Sequence, residues 1–127
     1  MGIVVLALAL LGATGCAGVV CPAIGWSNGI EVDASAYGDD AFVQLCVDVG
    51  CSAGPAEQPT PSSEIGVPFR EDDGVFTLSM TTPDEVTVRV YDASGVVLHE
   101  SDHRLDWTYS ADVCGGPSSV GPIVLET

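Results

Sequence analysis

From Cys16 onward the sequence consists of short apolar or alternating runs, each ended by glycine, proline or aspartate. No run repeats with the helical period of 3.6, whereas several repeat with the period of two that is typical of strands. We therefore expect an all-β fold, an antiparallel β-sandwich of about seven strands, with a barrel as the alternative. The predicted strands are 29–36, 41–49, 74–80, 85–91, 96–109 (bent or interrupted) and 122–126, with a further short one near 65–69.

Turn residues separate these strands. Aspartate occurs together with glycine in the segments 38–40, 71–74 and 92–95, a combination that suits tight turns. The segment 54–63 contains three prolines and two serines, which exclude a central strand there. Neither side of this loop holds enough apolar residues for a core of its own, so the sequence predicts one domain.

Strand alternation assigns side chains to faces. Within 85–91 we expect Val86, Val88 and Val90 to point into the core while the residues between them point out. Within 96–109, the apolar residues Leu105 and Trp107 share one face with His99, Ser101 and His103.

Near the N-terminus an unbroken apolar run, 3–11, is followed by small residues and then by Cys16. Nine residues are too few for a helix to span a bilayer. The run is typical of a secretory signal, which we place at 1–15, ahead of a sandwich domain at 16–127. The alternatives are that 3–11 is a buried element of the domain, or that ordinary cleavage leaves Cys16 as a free thiol.

The stretch Ala13-Thr14-Gly15-Cys16 resembles the lipobox of bacterial lipoproteins. No Lys or Arg precedes the apolar run, and Ala13 stands where such signals most often have leucine. The resemblance implies that Cys16 is lipidated. It also implies that the protein contacts the membrane through this lipid, at the extracytoplasmic face of the cell membrane.

The chain has five cysteines, and four remain once Cys16 is set aside for lipid. Cys46 and Cys51 are separated by four residues, a spacing that lets them face each other across a short turn. Cys21 and Cys114 would then form the second bridge, although four cysteines allow three pairings. A zinc site made of all four is the less favoured alternative, because there is no CxxC pair and exported thiols tend to be oxidised.

The composition restricts the possible partners. The 127 residues carry a formal net charge of -15, with no lysine and three arginines, and 46% of them are hydrophobic. Such a charge repels the phosphate backbone, so nucleic-acid binding is excluded. It also opposes electrostatic attraction to anionic membranes, so any membrane association must come from the anchor. We expect a monomer with no cofactor, whose protein or ligand partner the sequence does not identify.

Candidate reactive groups are few. On a strand His99 and His103 are about 13 Å apart, too far for both to bind one zinc ion, so we expect ordinary strand histidines. There is no Gly-x-Ser-x-Gly motif, and we expect the protein not to be an enzyme. The acidic pairs Asp39-Asp40 and Asp72-Asp73 suit turns, with calcium binding as the alternative. The aromatic residues considered either as a ligand platform or as core are Trp26, Trp107 and Tyr109.

Taken over nearly its whole length, the chain resembles small lipoproteins of high-GC Gram-positive bacteria. This resemblance lies in the leader ending at Cys16, the Cys-x4-Cys segment, the late Cys114-Gly115-Gly116-Pro117 and the short strands. Residues 85–100 also look like a strand-turn-strand unit of immunoglobulin-like or transthyretin-like sandwiches. The resemblance implies a non-catalytic cell-envelope lipoprotein that serves as a binding or structural module. The alternative is an accessory protein that binds a ligand or calcium through its acidic turns or aromatic face.

Overall fold

A computed structural model describes residues 21, 25–58, 65–72 and 74–127. The predicted signal segment, Cys16 and Asp73 lie outside the described residues. Within them the chain forms eight strands and a 3-10 turn at Ser35–Tyr37. The strands are β1 (Ser27–Asp33), β2 (Phe42–Val47), β3 (Gly50–Cys51), β4 (Phe69–Asp72), β5 (Val75–Ser79), β6 (Glu85–Tyr91), β7 (Val97–Arg104) and β8 (Ile123–Val124).

The strands form two four-stranded sheets that pack as a sandwich, which confirms the predicted all-β class. The first sheet has the order β4-β5-β1-β8 and the second has the order β3-β2-β6-β7. Neighbouring strands are antiparallel except β1 and β8, which run parallel. β7 lies at an edge of the second sheet, beside β6, with Val88 opposite Ser101.

The core lies between the sheets and follows the strand alternation. Val86, Val88 and Val90 are all buried, as the sequence predicts. Removing a side chain of this size from water contributes about 1.5–3 kcal/mol, so these alternating positions hold the sheets together. The core residues from the other strands are Ile30, Val32, Val43, Leu45, Phe76, Leu78 and Ile123.

Several predicted boundaries differ from the structure. The first strand ends at Asp33 rather than at residue 36, because the Asp33 carboxylate accepts a hydrogen bond from Ser35 N (2.9 Å) and the chain turns. The long run 96–109 ends as a strand at Arg104, and Thr108 instead forms an isolated bridge with Ser119. β3 was not predicted, since two residues are too few to show an alternation.

The short strand expected near 65–69 is also displaced. It begins at Phe69 and continues through Asp72, so it takes up half of the acidic segment 71–74 that the sequence assigned to a turn. Pairing with β5 explains this, because Phe69 and Arg70 lie opposite Thr77 and Phe76. A bulge between Arg70 and Asp72 then leads the chain towards Gly74.

β1 connects two chemically different ends of the sandwich. Its seven residues span about 20 Å, from Ser27 beside Trp26 to Asp33. We call the first end the aromatic end, defined by Trp26, Met80 and Tyr109. The second is the acidic end, defined by Asp33, Asp39, Asp40 and Asp92.

Candidate functional site

Both predicted disulfides are present. Cys21 is bonded to Cys114 across a sequence separation of 93, with the Cα atoms 5.1 Å apart; we call this the long bridge. Cys46 is bonded to Cys51 across a separation of 5, with the Cα atoms 4.0 Å apart; we call this the short bridge. Because all four sulfurs are bonded in pairs, the alternative of a zinc site on these cysteines is wrong for this structure. Cys16, the predicted lipidation site, is outside the described residues.

The aromatic end contains a surface cavity of about 230 Å³ lined by Trp26, Met80 and Tyr109. Met80 directly follows β5. Its backbone has a left-handed conformation (φ 57°), and its side chain is half exposed. The long bridge approaches the same place, since a Cβ on Gly115, next to Cys114, would lie 2.6 Å from the Trp26 ring. Hydroxyl and amide groups of Asn28, Ser110 and Ser118 complete the cavity lining.

The structure separates the three aromatic candidates. Trp26 and Tyr109 share the cavity, as a ligand platform requires. Trp107, by contrast, is buried in the core, and its Nε1 donates to the Pro83 carbonyl at 2.8 Å. Sequence reasoning did not find Met80, because a left-handed residue at a strand end leaves no periodic signal.

A second apolar cavity of about 240 Å³ adjoins the first, since Thr82 lines both. Exposed side chains of Val49 and Ile65 border it. Val113, which is 78% exposed, directly precedes Cys114 of the long bridge. The aromatic end therefore presents apolar groups to solvent over a broad surface.

The acidic end contains a cavity of about 290 Å³ lined by Asp33, Asp39, Gly74 and Glu31, among others. Of the two predicted acidic turns, one reaches this cavity through Asp39, whereas the other reaches it only through Gly74, which carries no carboxylate. No group of three or more His, Cys, Asp or Glu side chains in the described part of the chain is arranged to hold a metal ion. Asp73, one of the predicted turn residues, lies outside that part.

Local hydrogen bonds occupy two of the carboxylates at this end. Hydrogen bonds from the side chain and then the backbone of Ser35 lower the pKa of Asp33. At Asp92, the backbone N–H of Val96 is the largest cause of a lowered pKa, followed by the Ser94 hydroxyl. Ser94 N and Val96 N both donate to Asp92 Oδ1 at 2.9 Å. These contacts are those of an aspartate that stabilises a turn, as the sequence analysis expected.

The two histidines lie on the inner face of edge strand β7, in one hydrogen-bonded row. Both His99 Nε2 (2.7 Å) and His103 Nε2 (2.6 Å) contact Ser101 Oγ. His99 Nδ1 contacts the Tyr37 hydroxyl at 2.9 Å, and this hydroxyl donates to the carbonyl of Glu126 at 3.2 Å. The imidazoles are closer than the predicted backbone spacing of about 13 Å, because both rings lean towards Ser101.

This polar row has a structural explanation. Ser101 Oγ is held between two imidazole nitrogens, so its hydrogen-bonding capacity is used within the row. Polar side chains that point inward from an edge strand also discourage pairing with another chain. The described contacts therefore fit the sequence expectation of ordinary strand histidines.

No family model, curated protein or solved structure matches this chain. In the part of the chain that the structure describes, no helix has the length and apolar character needed to cross a bilayer.

Proposed function

We propose that the chain is a non-catalytic lipoprotein of the cell envelope, of the kind found in high-GC Gram-positive bacteria. In this proposal residues 1–15 are a signal peptide, and lipidated Cys16 anchors the domain 16–127 at the extracytoplasmic face. The cysteine pairing carries the proposal. The two bridges use four of the five cysteines, and Cys16, which directly follows the small residues of the lipobox-like stretch, is the one that remains.

The long bridge supports a particular orientation on the membrane. Cys16 precedes Cys21 by five residues, which reach at most about 18 Å when fully extended. Cys21 is bonded to Cys114, and Gly115 packs against Trp26, so a lipid on Cys16 stays near the aromatic end. Trp and Tyr side chains are favoured at the membrane interface, which suits Trp26 and Tyr109 to this position.

In this orientation the acidic end projects away from the membrane. The negative potential of anionic lipids repels carboxylates, so the same arrangement separates Asp33, Asp39 and Asp92 from the lipid surface. The acidic end is then the part of the domain that a partner from outside would reach.

Replacement of Cys16 tests the proposal. Cys16→Ser should abolish metabolic labelling with a fatty acid and release the protein from the membrane fraction. Two or three acyl chains would anchor the protein firmly, whereas one binds only marginally. The matched control replaces both cysteines of the short bridge with serine and should keep the label. A wild-type chain that incorporates no fatty acid would show that the lipoprotein proposal is wrong.

The second candidate function is ligand- or calcium-dependent binding at the acidic end, and the carboxylates of Glu31, Asp33 and Asp39 around one cavity favour it. Titration calorimetry with Ca²⁺ distinguishes a site from diffuse charge neutralisation. A dedicated site with a Kd of about 10 μM would add about 2.7 kcal/mol of stability at 1 mM ion. One stoichiometric, Ca²⁺-selective event that disappears in Asp33→Asn/Asp39→Asn would establish this candidate. A weak, non-saturating response that Mg²⁺ reproduces would exclude it.

A further inference from the structure

The short bridge differs from the long bridge in its surroundings. Cys46 is directly opposite Cys51 in the β2–β3 pair, and one further pair, Val47 opposite Gly50, separates the bridge from the hairpin turn. Cys51 is exposed, whereas Cys46 is only 7% exposed. The two cysteines of the short bridge therefore differ in access to a reagent in solution. In the long bridge Cys21 is exposed and Cys114 is partly exposed, so accessibility alone does not distinguish the two bridges.

A cation contacts the less accessible half of the bridge. Arg89 Nη1 lies 3.6 Å from Cys46 Sγ and donates to it. The same guanidinium forms an ion pair with Glu100, Nε to Oε2 at 3.3 Å. Asp102, on the same face of β7 as Glu100, accepts a hydrogen bond from Thr87, the residue opposite Cys46 in β6.

We propose that the short bridge is a thiol–disulfide exchange site that reacts stoichiometrically with dithiols, either small molecules or the dithiol of another protein. An external thiolate attacks Cys51 Sγ, a bond forms between these two sulfurs, and the Cys46–Cys51 bond breaks. Cys46 leaves as a thiolate. The second thiol of the reductant then displaces Cys51, so the reductant is oxidised to its disulfide and the protein gains two electrons and two protons.

The position of Arg89 indicates that Cys51 is the sulfur attacked and that Cys46 is the sulfur that leaves. The rate of exchange rises when the leaving sulfur is a stabilised thiolate, and a neighbouring guanidinium provides that stabilisation. Glu100 acts in the opposite sense, because its negative charge offsets part of the Arg89 charge. Loss of Arg89 should therefore slow exchange, and loss of the Glu100 charge should accelerate it.

The hairpin can remain in place after the short bridge opens. Ser52 follows Cys51 and is buried; its N donates to the Leu45 carbonyl (2.8 Å), and its Oγ accepts from Leu45 N (3.0 Å). Gln44 Nε2 also donates to the Ser52 carbonyl at 2.9 Å. These three hydrogen bonds join β2 to the residue that follows β3, so reduction leaves two thiols on a folded domain, with Cys51 the more accessible of the two.

The test compares the two bridges in the purified full chain. The protein is exposed to dithiothreitol, a small dithiol of the proposed class, whose thiolate attacks the bridge. Samples taken over time are unfolded in denaturant with excess iodoacetamide, so that burial of Cys46 does not limit its labelling, and the labelled peptides are measured by mass spectrometry. We expect Cys46 and Cys51 to be labelled faster than Cys21 and Cys114, because Arg89 stabilises the thiolate that leaves, and we expect the near-UV circular dichroism to be retained.

Three variants test the direction of attack. Arg89→Gln should slow reduction of the short bridge by about threefold or more, and Glu100→Gln should accelerate it. Arg104→Gln is the matched control, because this substitution removes the same charge from a residue that lies beyond Glu100 at the end of β7. It should leave the rate of reduction unchanged.

Two results would overturn the proposal. One is reduction of both bridges at the same rate. The other is a change in the same direction for Arg89→Gln and Glu100→Gln, which would indicate a general loosening of the sheet. If Arg89→Gln does not fold, two measurements still test the proposal. They are the ratio of the reduction rates of the two bridges in the wild type and the direction in which Glu100→Gln changes the rate. None of these measurements depends on lipidation of Cys16.

Discussion

The buried amide of Asn28 offers a sharp test of how the aromatic end is held together. Asn28 is 1% exposed near the start of β1. Its Nδ2 donates to the Thr81 carbonyl at 2.7 Å, and its Oδ1 accepts from Ser118 N at 2.7 Å. One side chain thus connects the first strand to two segments that lie 53 and 90 residues further along the chain.

The perturbation is a pair of substitutions, Asn28→Ala and Asn28→Leu. Alanine removes two hydrogen bonds worth about 1 kcal/mol each, and water from the adjoining cavity can partly replace them, so we expect a loss of about 1–2 kcal/mol. Leucine fills the space and keeps water out. It leaves two polar groups unpaired, at about 1–3 kcal/mol each, so we expect a loss of about 2–4 kcal/mol after some gain from its apolar surface.

Urea unfolding at pH 7, with both bridges oxidised and tryptophan fluorescence as the signal, measures these losses. With a slope of about 1–3 kcal/mol/M, a loss of 2 kcal/mol moves the midpoint by about 1 M. Ile30→Ala, at the next inward position of β1, provides the reference for loss of a purely apolar core contact, about 2–5 kcal/mol. If Asn28→Leu is as stable as Asn28→Ala or more stable, the hydrogen bonds of Asn28 do not hold this end together.

Three further predictions concern the bridges, a turn and a glycine. Replacing both cysteines of the long bridge by serine should lower the free energy of unfolding by about 4.7 kcal/mol, and the same change in the short bridge should lower it by about 2.2 kcal/mol. The reason is that the longer ring restricts the unfolded chain more. Equal losses in urea unfolding would contradict this prediction. Hydrogen bonds keep the pKa of Asp92 below its usual value of 3.8, so its stabilising effect is present above the unfolded pKa and is lost as the pH falls through the folded one. Asp92→Asn should therefore weaken the dependence of stability on pH below about pH 4. An NMR titration that finds no lowering of the Asp92 pKa would show that these hydrogen bonds are not the source of that dependence. Gly115→Ala, which places a Cβ at 2.6 Å from the Trp26 ring, should destabilise more than Gly95→Ala, which has a similar φ (+86°) and open space; equal melting temperatures would show that the ring contact is unimportant.

Much of the architecture followed from local patterns. An alternation of two places Val86, Val88 and Val90 on one face whatever their neighbours, so the sequence identified these core positions and the all-β class. The pairing of Cys46 with Cys51 is also local, because a short turn brings them together. The pairing of Cys21 with Cys114 then followed by elimination among four cysteines.

The arrangement at the two ends depended on the tertiary structure. Met80 approaches Trp26 and Tyr109 only because β1 pairs with β5 and the chain returns past the long bridge. Strand ends such as Asp33 are set by side-chain hydrogen bonds that periodicity does not reveal.

The contact between Arg89 and the Cys46 sulfur also depends partly on the local sequence pattern and partly on the tertiary structure. The sequence places Arg89 on the outward face of its strand, but it does not show which strand lies beside it. The register of β2 against β6, with Gln44 opposite Arg89 and Cys46 opposite Thr87, brings the guanidinium to the sulfur. Alternation along a strand is fixed by backbone geometry, whereas strand neighbours are fixed by contacts between distant parts of the chain. The sequence by itself therefore determined the fold class and the core faces and favoured one pairing of the cysteines, and only the tertiary structure decided which charges and apolar groups meet.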